Sequence, residues 1–300
     1  MTETARSNVS GILWMLLAGL VFVGMNAIVR HLGTALPAPQ SAFLRFLFGL
    51  IFLCPALVPI LRTGFSMPIW KLFGLRGALH AIGVMLWFYA MARLPLAEVT
   101  ALGYLNPIVV TVGAALFLGE RLAMRRIIAI LVALVGAVIV LRPGFRELGN
   151  GQIAQLCAAV SFGLSYLVAK RLSALVSPVA VVAMMSLTVT IALLPFAVAV
   201  WVPPTLVQTA WLALTAAFAT AGHYAMTRAF AAAPLTVTQP VTFLQLVWAT
   251  LLGTFAFGDP LDPFILLGGA IIIAAISYMT WREARVRRRV ITPLPNQTKL

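Results

Sequence analysis

The chain has 300 residues, 62% of them hydrophobic and 9% charged, with a mean hydropathy of +1.04, and has too few polar side chains to cover a water-soluble globule. Lipid is its expected solvent, and the length supplies about ten spans of roughly 20 residues, leaving no room for a soluble domain. The net charge of +14 does not point to nucleic acid, because most lysines and arginines sit at the ends of apolar runs, where they fix topology.

The first expected helix covers about Ser10 to His31. Its roughly 20 apolar residues exceed the core of a signal peptide, so it is expected to remain as a span. Pro37 and Pro39 mark a loop, and helix two runs to about Leu61. Arg62, Gly64, Pro68 and Lys71 form the next connection, and helix three covers about Ile69 to Ala92. Arg93 to Pro95 make a tight turn into helix four, whose proline stands where a missing N–H costs nothing. Helix four ends near Gly119 and helix five runs from about Ile127 to Leu141. Arg142 to Gly151 is the most loop-like stretch and lies at the midpoint. Helix six then runs to Leu172, helix seven from Pro178 to Val202, helix eight from Val207 to Ala231, helix nine from Pro234 to Phe257 and helix ten from Phe264 to Trp281. The basic tail, Arg282 to Arg289, suits either a positive-inside anchor or a contact with anionic lipid headgroups, and the cytoplasmic tail over 283–300 is expected to be disordered. Cys54 and Cys157 lie in apolar runs with no metal-ligand spacing and read as small core residues.

Two stretches repeat. Pro95 to Glu120 aligns with Pro234 to Asp259 at one constant offset, pairing Leu105 with Leu244, Thr111 with Thr250 and Gly119 with Gly258. Helix one aligns likewise with helix six, pairing Gly11 with Gly151, Phe22 with Phe162 and Arg30 with Lys170. The unit is therefore five helices used twice, residues 1–145 and 146–282, with a tail at 283–300. An odd number of crossings per unit makes the second copy enter from the opposite side. The expected fold is thus an all-α integral membrane protein of ten transmembrane helices in two inverted five-helix repeats. Of the 21 lysines and arginines, fifteen fall on the side of the chain termini, four on the other side and two, Arg45 and Arg76, within helices; both termini are expected to be cytoplasmic.

Inverted repeats place substrate near the bilayer midplane between the halves, so polar groups deep in helices are the candidates. Phe22, Asn26 and Arg30 share a face of helix one, and Phe162, Tyr166 and Lys170 the matching face of helix six. In helices four and nine the stripe Thr100, Tyr104, Thr111 corresponds to Gln239, Phe243, Thr250, and Asn106 to Gln245. Asn106 and Gln245 suit either helix-to-helix hydrogen bonds, at about 0.6 kcal/mol each, or the lining of a cavity. Trp14, Trp70, Trp201, Trp211 and Trp281 lie near helix ends as an aromatic belt, whereas Tyr104 and Tyr166 lie deeper and are candidate cavity residues. His80 and His223 lie well inside spans and reach the same helical face of their repeats. Each is either a neutral histidine bonded to a neighbour or a substrate or proton contact. Arg45 and Glu98 are expected to form an ion pair, with recognition of a substrate carboxylate or ammonium as the alternative. Glu120 and Asp259 close corresponding helices and are expected to bond to a loop or to a neighbouring helix start. Pro107 and Pro240 are expected hinges. The substrate cavity should be walled by helices one, three, four, six, eight and nine.

Two five-helix halves, Arg45 with Phe46 in helix two, Pro107 in helix four and the Gly119-Glu120-Arg121 ending together resemble the drug/metabolite transporter superfamily, specifically its bacterial ten-helix EamA-type members. Gly258-Asp259-Pro260 departs from the glycine-glutamate usual there. Aromatic placement is most similar to the YddG type, which exports aromatic amino acids. The resemblance implies secondary transport with efflux of a small metabolite, in a multi-pass protein of a bacterial-type inner membrane, and it favours His80 over His223 as the substrate contact. No cofactor is expected, and a monomer is expected, with the lipid bilayer and a small-molecule substrate, most readily an amino acid, as partners. No span holds a paired-carboxylate site, an HExxH motif or a nucleophile beside a base, so an intramembrane enzyme is disfavoured. A nucleotide-sugar carrier would ask for several deep basic groups and a cationic drug exporter for a free buried acid. No Walker motif is present, which leaves proton coupling or facilitated movement.

Overall fold

The computed structural model describes residues 3–118, 123–145, 147–233 and 235–291, with the backbone alone at 3–8, 63, 118, 178, 227, 230, 235, 236, 239, 240 and 283–291. Glu120 lies outside the described residues. The described chain is all-helical. Its helices are α1 (Glu3–Leu32), α2 (Ala38–Thr63), α3 (Met67–Met91), α4 (Leu96–Gly103), α5 (Asn106–Leu118) and α6 (Met124–Leu141), followed by α7 (Asn150–Ser173), α8 (Pro178–Ala199), α9 (Leu206–Ala232), α10 (Leu235–Thr242), α11 (Leu244–Phe257) and α12 (Pro263–Ile291).

The starts follow local chemistry. Proline opens α2, α3 and α8, where its missing N–H is one of the unpaired donors of a first turn. Ser177 Oγ accepts from Ala180 N, while Thr205 and Gln208 cap α9 reciprocally. Eight stretches, Leu96–Phe117 counted as one, are long and apolar enough to cross a membrane. The remaining two expected spans fall short for visible reasons: α9 carries Gln208, His223 and Arg228, and α11 is short because α10 takes the first turns. At the C-terminal end α12 continues past Trp281 through the basic run to Ile291, since arginine is a good helix former. The tail expected to be disordered over 283–300 is thus helical to Ile291, and residues 292–300 lie outside the described residues. Cys54 and Cys157 are exposed on the outer surface of the bundle, not in its core as their apolar neighbours suggested.

Helices four and nine of the expected ten are each broken in two. Pro107 offers no N–H to the Gly103 carbonyl, and its ring crowds that oxygen. The chain therefore leaves the α-helix in the turn before it, where Tyr104 N bonds to Ala101 O at 3.2 Å and Leu105 N to Leu102 O at 3.1 Å. In the second half Pro240 sits inside α10, and the interruption comes three residues later, at Phe243. Phe243 is the repeat partner of Tyr104. The break thus falls at the matched aromatic rather than at the second proline, and the two rings meet edge to face with centroids 5.4 Å apart.

Packing repeats as the sequence does. α1 lies along α9 as α7 lies along α3, each pair seated by an aromatic over a glycine. A β-carbon on Gly222 would stand 2.8 Å from the Phe22 ring, and one on Gly83 2.8 Å from the Phe162 ring. Outside these pairs α6 crosses α12, where Gly136 and Gly268 bring the two backbones together. One end of the bundle gathers the connections at 33–37, 92–95, 142–145, 147–149, 200–205 and 258–262. There Gln40, fully buried, donates to Val202 O at 2.6 Å and accepts from Val202 N at 2.9 Å. Gln40→Ala should lower stability by about 1–3 kcal/mol, because both backbone groups of Val202 lose their partner. A thermal melt of the purified protein checks this.

Candidate transport cavity

A cavity of about 320 Å³ opens between α2, α3, α8 and α9. It runs from Arg45 and His80 towards Val179 at the start of α8, the end opposite Asp259. Its walls differ from expectation. α2 and α8 form much of it, whereas among the described residues no side chain of α1, α4, α7, α10 or α11 lines it; Phe22 of α1 and Phe162 of α7 are seated instead over Gly222 and Gly83.

His80 and His223 both face this space. His80 is buried, with its Nδ1 3.3 Å from Ser165 Oγ, and its ring stands between Phe46, 5.8 Å away, and Phe162, 4.9 Å away. His223 packs edge-on against Phe22 at 5.1 Å. Although the two histidines occupy positions one helical turn apart in the repeat, each is backed by the matched phenylalanine of the other half. Phe22 and Phe162 therefore position the histidines and stand behind the cavity surface.

Arg45 and Glu98 are not joined. Arg45 faces the cavity, its guanidinium 4.2 Å from the centre of the Phe46 ring. Glu98, buried, accepts from Gln152 Nε2 at 3.2 Å. The expected pair fails because α2 packs on α8, α9 and α3, while Glu98 turns towards the start of α7. Similar depth in the membrane did not imply adjacency. Arg76, one turn before His80, is also buried and donates to Val181 O at 2.6 Å.

The remaining candidates lie elsewhere. Tyr166 and Asn106 line a second recess of about 300 Å³ with Pro107 and Thr111; Asn106 Oδ1 is shielded there without a partner among the described residues. Tyr104 stacks on Phe243 as described, with its hydroxyl 3.4 Å from Phe243 O. Gln245 packs against α1 at Gly19, and Asn26 is half-buried on α1, away from the cavity lining. Thr100, Thr111 and Thr250 donate to the carbonyls four residues back, Leu96, Pro107 and Leu246, so that stripe is satisfied within its own helices. The side chains of Gln239 and Pro240 are outside the described set.

At the end of the bundle away from Val179, Asp259 holds three elements. Its Oδ1 accepts from Arg30 at 3.0 Å, and its Oδ2 accepts from Leu96 N, the first turn of α4, at 3.0 Å. Arg30 also donates to Leu94 O at 2.7 Å. The carboxylate thereby ties the end of α11 to α1 and to the α3–α4 turn, and it sits at a helix N-terminus, where negative charge is favoured. Arg142 and Asp262 form a second ion pair beside it.

Sequence reasoning missed the contribution of α8, whose Met185 and Ser186 line the cavity, and the Ser165 partner of His80. A small residue or a hydroxyl in an apolar run gives no signal of its own. Arg45 was expected to pair with Glu98, with a substrate carboxylate as the alternative, and its place on the cavity wall follows from the packing of α2 on α8 and α9.

The sequence pattern of the family described as the EamA-like transporter family matches the chain twice, over residues 9–142 and 149–281. A riboflavin transporter of Vibrio cholerae is 30% identical over 285 residues, 93% of this chain and 95% of that one. An S-adenosylmethionine uptake transporter of Rickettsia bellii is 26% identical over 295 residues, 97% of this chain and 100% of that one. A pseudopaline exporter of Pseudomonas aeruginosa is 28% identical over 275 residues, 89% of this chain and 94% of that one. A protein of known crystal structure superposes with a TM-score of 0.58 at 19% identity, covering 94% of this chain and 99% of its own. That superposition speaks to the fold.

Proposed function

Because the chain belongs to the EamA-like transporter family, whose named relatives are transporters rather than enzymes, we propose that it is a secondary transporter of a small metabolite with a planar, partly apolar body. Aromatic amino acids are the first class to test, and export is the first direction. In this reading ten crossings form two inverted repeats with both termini in the cytoplasm. The cavity opens to the cytoplasm while the Asp259 end is latched, one of the two access states of a rocking carrier. The observation that carries the reading is the cavity itself, where Arg45, His80 and His223 meet on apolar walls and each histidine packs against a matched phenylalanine of the other half.

Purified protein in liposomes, loaded with labelled phenylalanine, tyrosine or tryptophan and followed with and without a pH gradient, tests substrate, direction and coupling together. His80→Ala should lower the transport rate at least about tenfold, as for loss of a contact worth about 1.4 kcal/mol or more, while leaving monodisperse protein. Wild-type rates in that variant would remove His80 from the site. If no amino acid moves, the substrate class is wrong. The same liposomes test a second reading, a riboflavin-like heteroaromatic, which the Vibrio cholerae relative favours.

A further inference from the structure

We infer that the cavity binds its ligand through an acidic group held by Arg45, so that the preferred substrate is an aromatic or apolar molecule bearing a carboxylate or a phosphate monoester. The inference deepens the transport reading and rests on it for the cavity being the substrate site. It starts from an imbalance of charge. Among the described residues no hydrogen bond or ion pair reaches the Arg45 guanidinium, and its Nε is shielded from solvent with no partner. The guanidinium lies over the face of Phe46, 4.2 Å from the ring centre.

Among the described residues of the cavity wall no acid compensates that charge. The side chains lining it include Arg45, His80 and His223 but no aspartate or glutamate. The described acids that could have served are engaged at the far end of the bundle: Glu98 with Gln152, Asp259 with Arg30 and Asp262 with Arg142. Arg76, directly behind His80, adds a second buried guanidinium to the same region. A cation within the span of a membrane protein is retained against its desolvation cost when it serves a ligand or pathway. The planar guanidinium fork matches a carboxylate or phosphate in two parallel hydrogen bonds.

The rest of the wall fixes the other part of the ligand. Leu53, Met185, Ala216 and Ala219 are apolar and Phe46 lies under the guanidinium, so a ring or hydrocarbon body fits beside the charge. A substrate ammonium finds no anionic partner. Ser186 and Thr220 give their hydroxyl protons to Val182 O and Ala216 O on their own helices and offer only neutral lone pairs. For ligands of one shape the order of binding is therefore anion, then zwitterion, then cation.

The test uses the full chain purified in nanodiscs of zwitterionic lipid, with phenylacetate, phenyl phosphate, phenylacetamide and phenethylamine as probes and the shift of the thermal midpoint as readout. Phenylacetate or phenyl phosphate should stabilise the protein while the neutral and cationic probes do not, and the stronger of the two anions identifies carboxylate or phosphate as the source. Arg45→Gln should weaken binding of the effective anion at least about tenfold, the usual loss for a charge-assisted hydrogen bond, and Arg45→Lys should retain part of it. Equal binding of phenylacetamide and phenylacetate, undiminished anion binding in Arg45→Gln, or no binding of either anion would overturn the inference. Should Arg45→Gln not fold, the comparison of acid and amide on the unaltered protein decides alone. Phenylalanine transport at equal rates by the unaltered protein and Arg45→Gln would end the anion site and leave the transport reading standing. Anion binding with no transport of any compound would do the reverse.

Discussion

Gly268→Leu is expected to remove most folded protein from the membrane, and Gly268→Ala to lower the thermal midpoint measurably. A β-carbon at Gly268 would stand 2.4 Å from the carbonyl oxygen of Gly136 and 3.0 Å from Val140 N, and one at Gly136 would stand 2.7 Å from Gly268 O. These neighbours are backbone atoms, which cannot swing aside as a flexible side chain would. The helices must separate, and in lipid no hydrophobic force holds them together once close packing is lost. Overfilling an adaptable core already costs about 1–3 kcal/mol, so a leucine against backbone should exceed the upper part of that range. Gel filtration of detergent extracts after heating, followed by tryptophan fluorescence, reads the change. An unchanged midpoint in Gly268→Leu would show that α6 and α12 do not cross there.

The second large effect concerns Asp259. Replacing it with alanine leaves Arg30 facing a gap and Leu96 N without its acceptor. Breaking a buried pair costs about 3–5 kcal/mol. Arg30 keeps 20% of its side-chain exposure, so water recovers part of its hydration and about 1–3 kcal/mol is the expected loss. Removing both charges, with Arg30→Gln and Asp259→Asn together, should cost less than Asp259→Ala alone. The latch also predicts access: in a chain lacking Cys54 and Cys157, a cysteine at Leu94 should react faster with a polar maleimide once Asp259 is replaced. Equal labelling rates would mean that Asp259 does not keep this end shut.

The helical repeat was legible because its signals are periodic or punctuating. Gly11 and Gly151, matched in sequence, receive matched turns at Ala233 and Leu94, and the prolines and capping hydroxyls fall where their chemistry places them. Asp259 was expected to seek a neighbouring helix start, and it does. Partners across the bundle were not legible. Depth along a helix can be counted from its end, but which face meets which helix depends on packing, and for that reason Arg45 and Glu98 were paired in expectation and are apart in the fold. The break at Phe243 was hidden for a different reason. Pro240 is the conspicuous residue, yet the interruption falls at Phe243, the aromatic matched to Tyr104 and in edge-to-face contact with it.

The Asp259 latch also constrains the order in which the protein is made. Arg30 and Asp259 are 229 residues apart, and a ribosome adding about 5–20 residues per second needs roughly 11–46 s to span that distance. During that interval Arg30 already lies in the membrane. Met91 and Leu94, whose carbonyls accept from Arg30 at 3.4 and 2.7 Å, emerge far sooner. They give the nascent first half a place for its charge before the acid exists. The first half is thus provisioned to wait, and closure of the far end becomes one of the last events of synthesis.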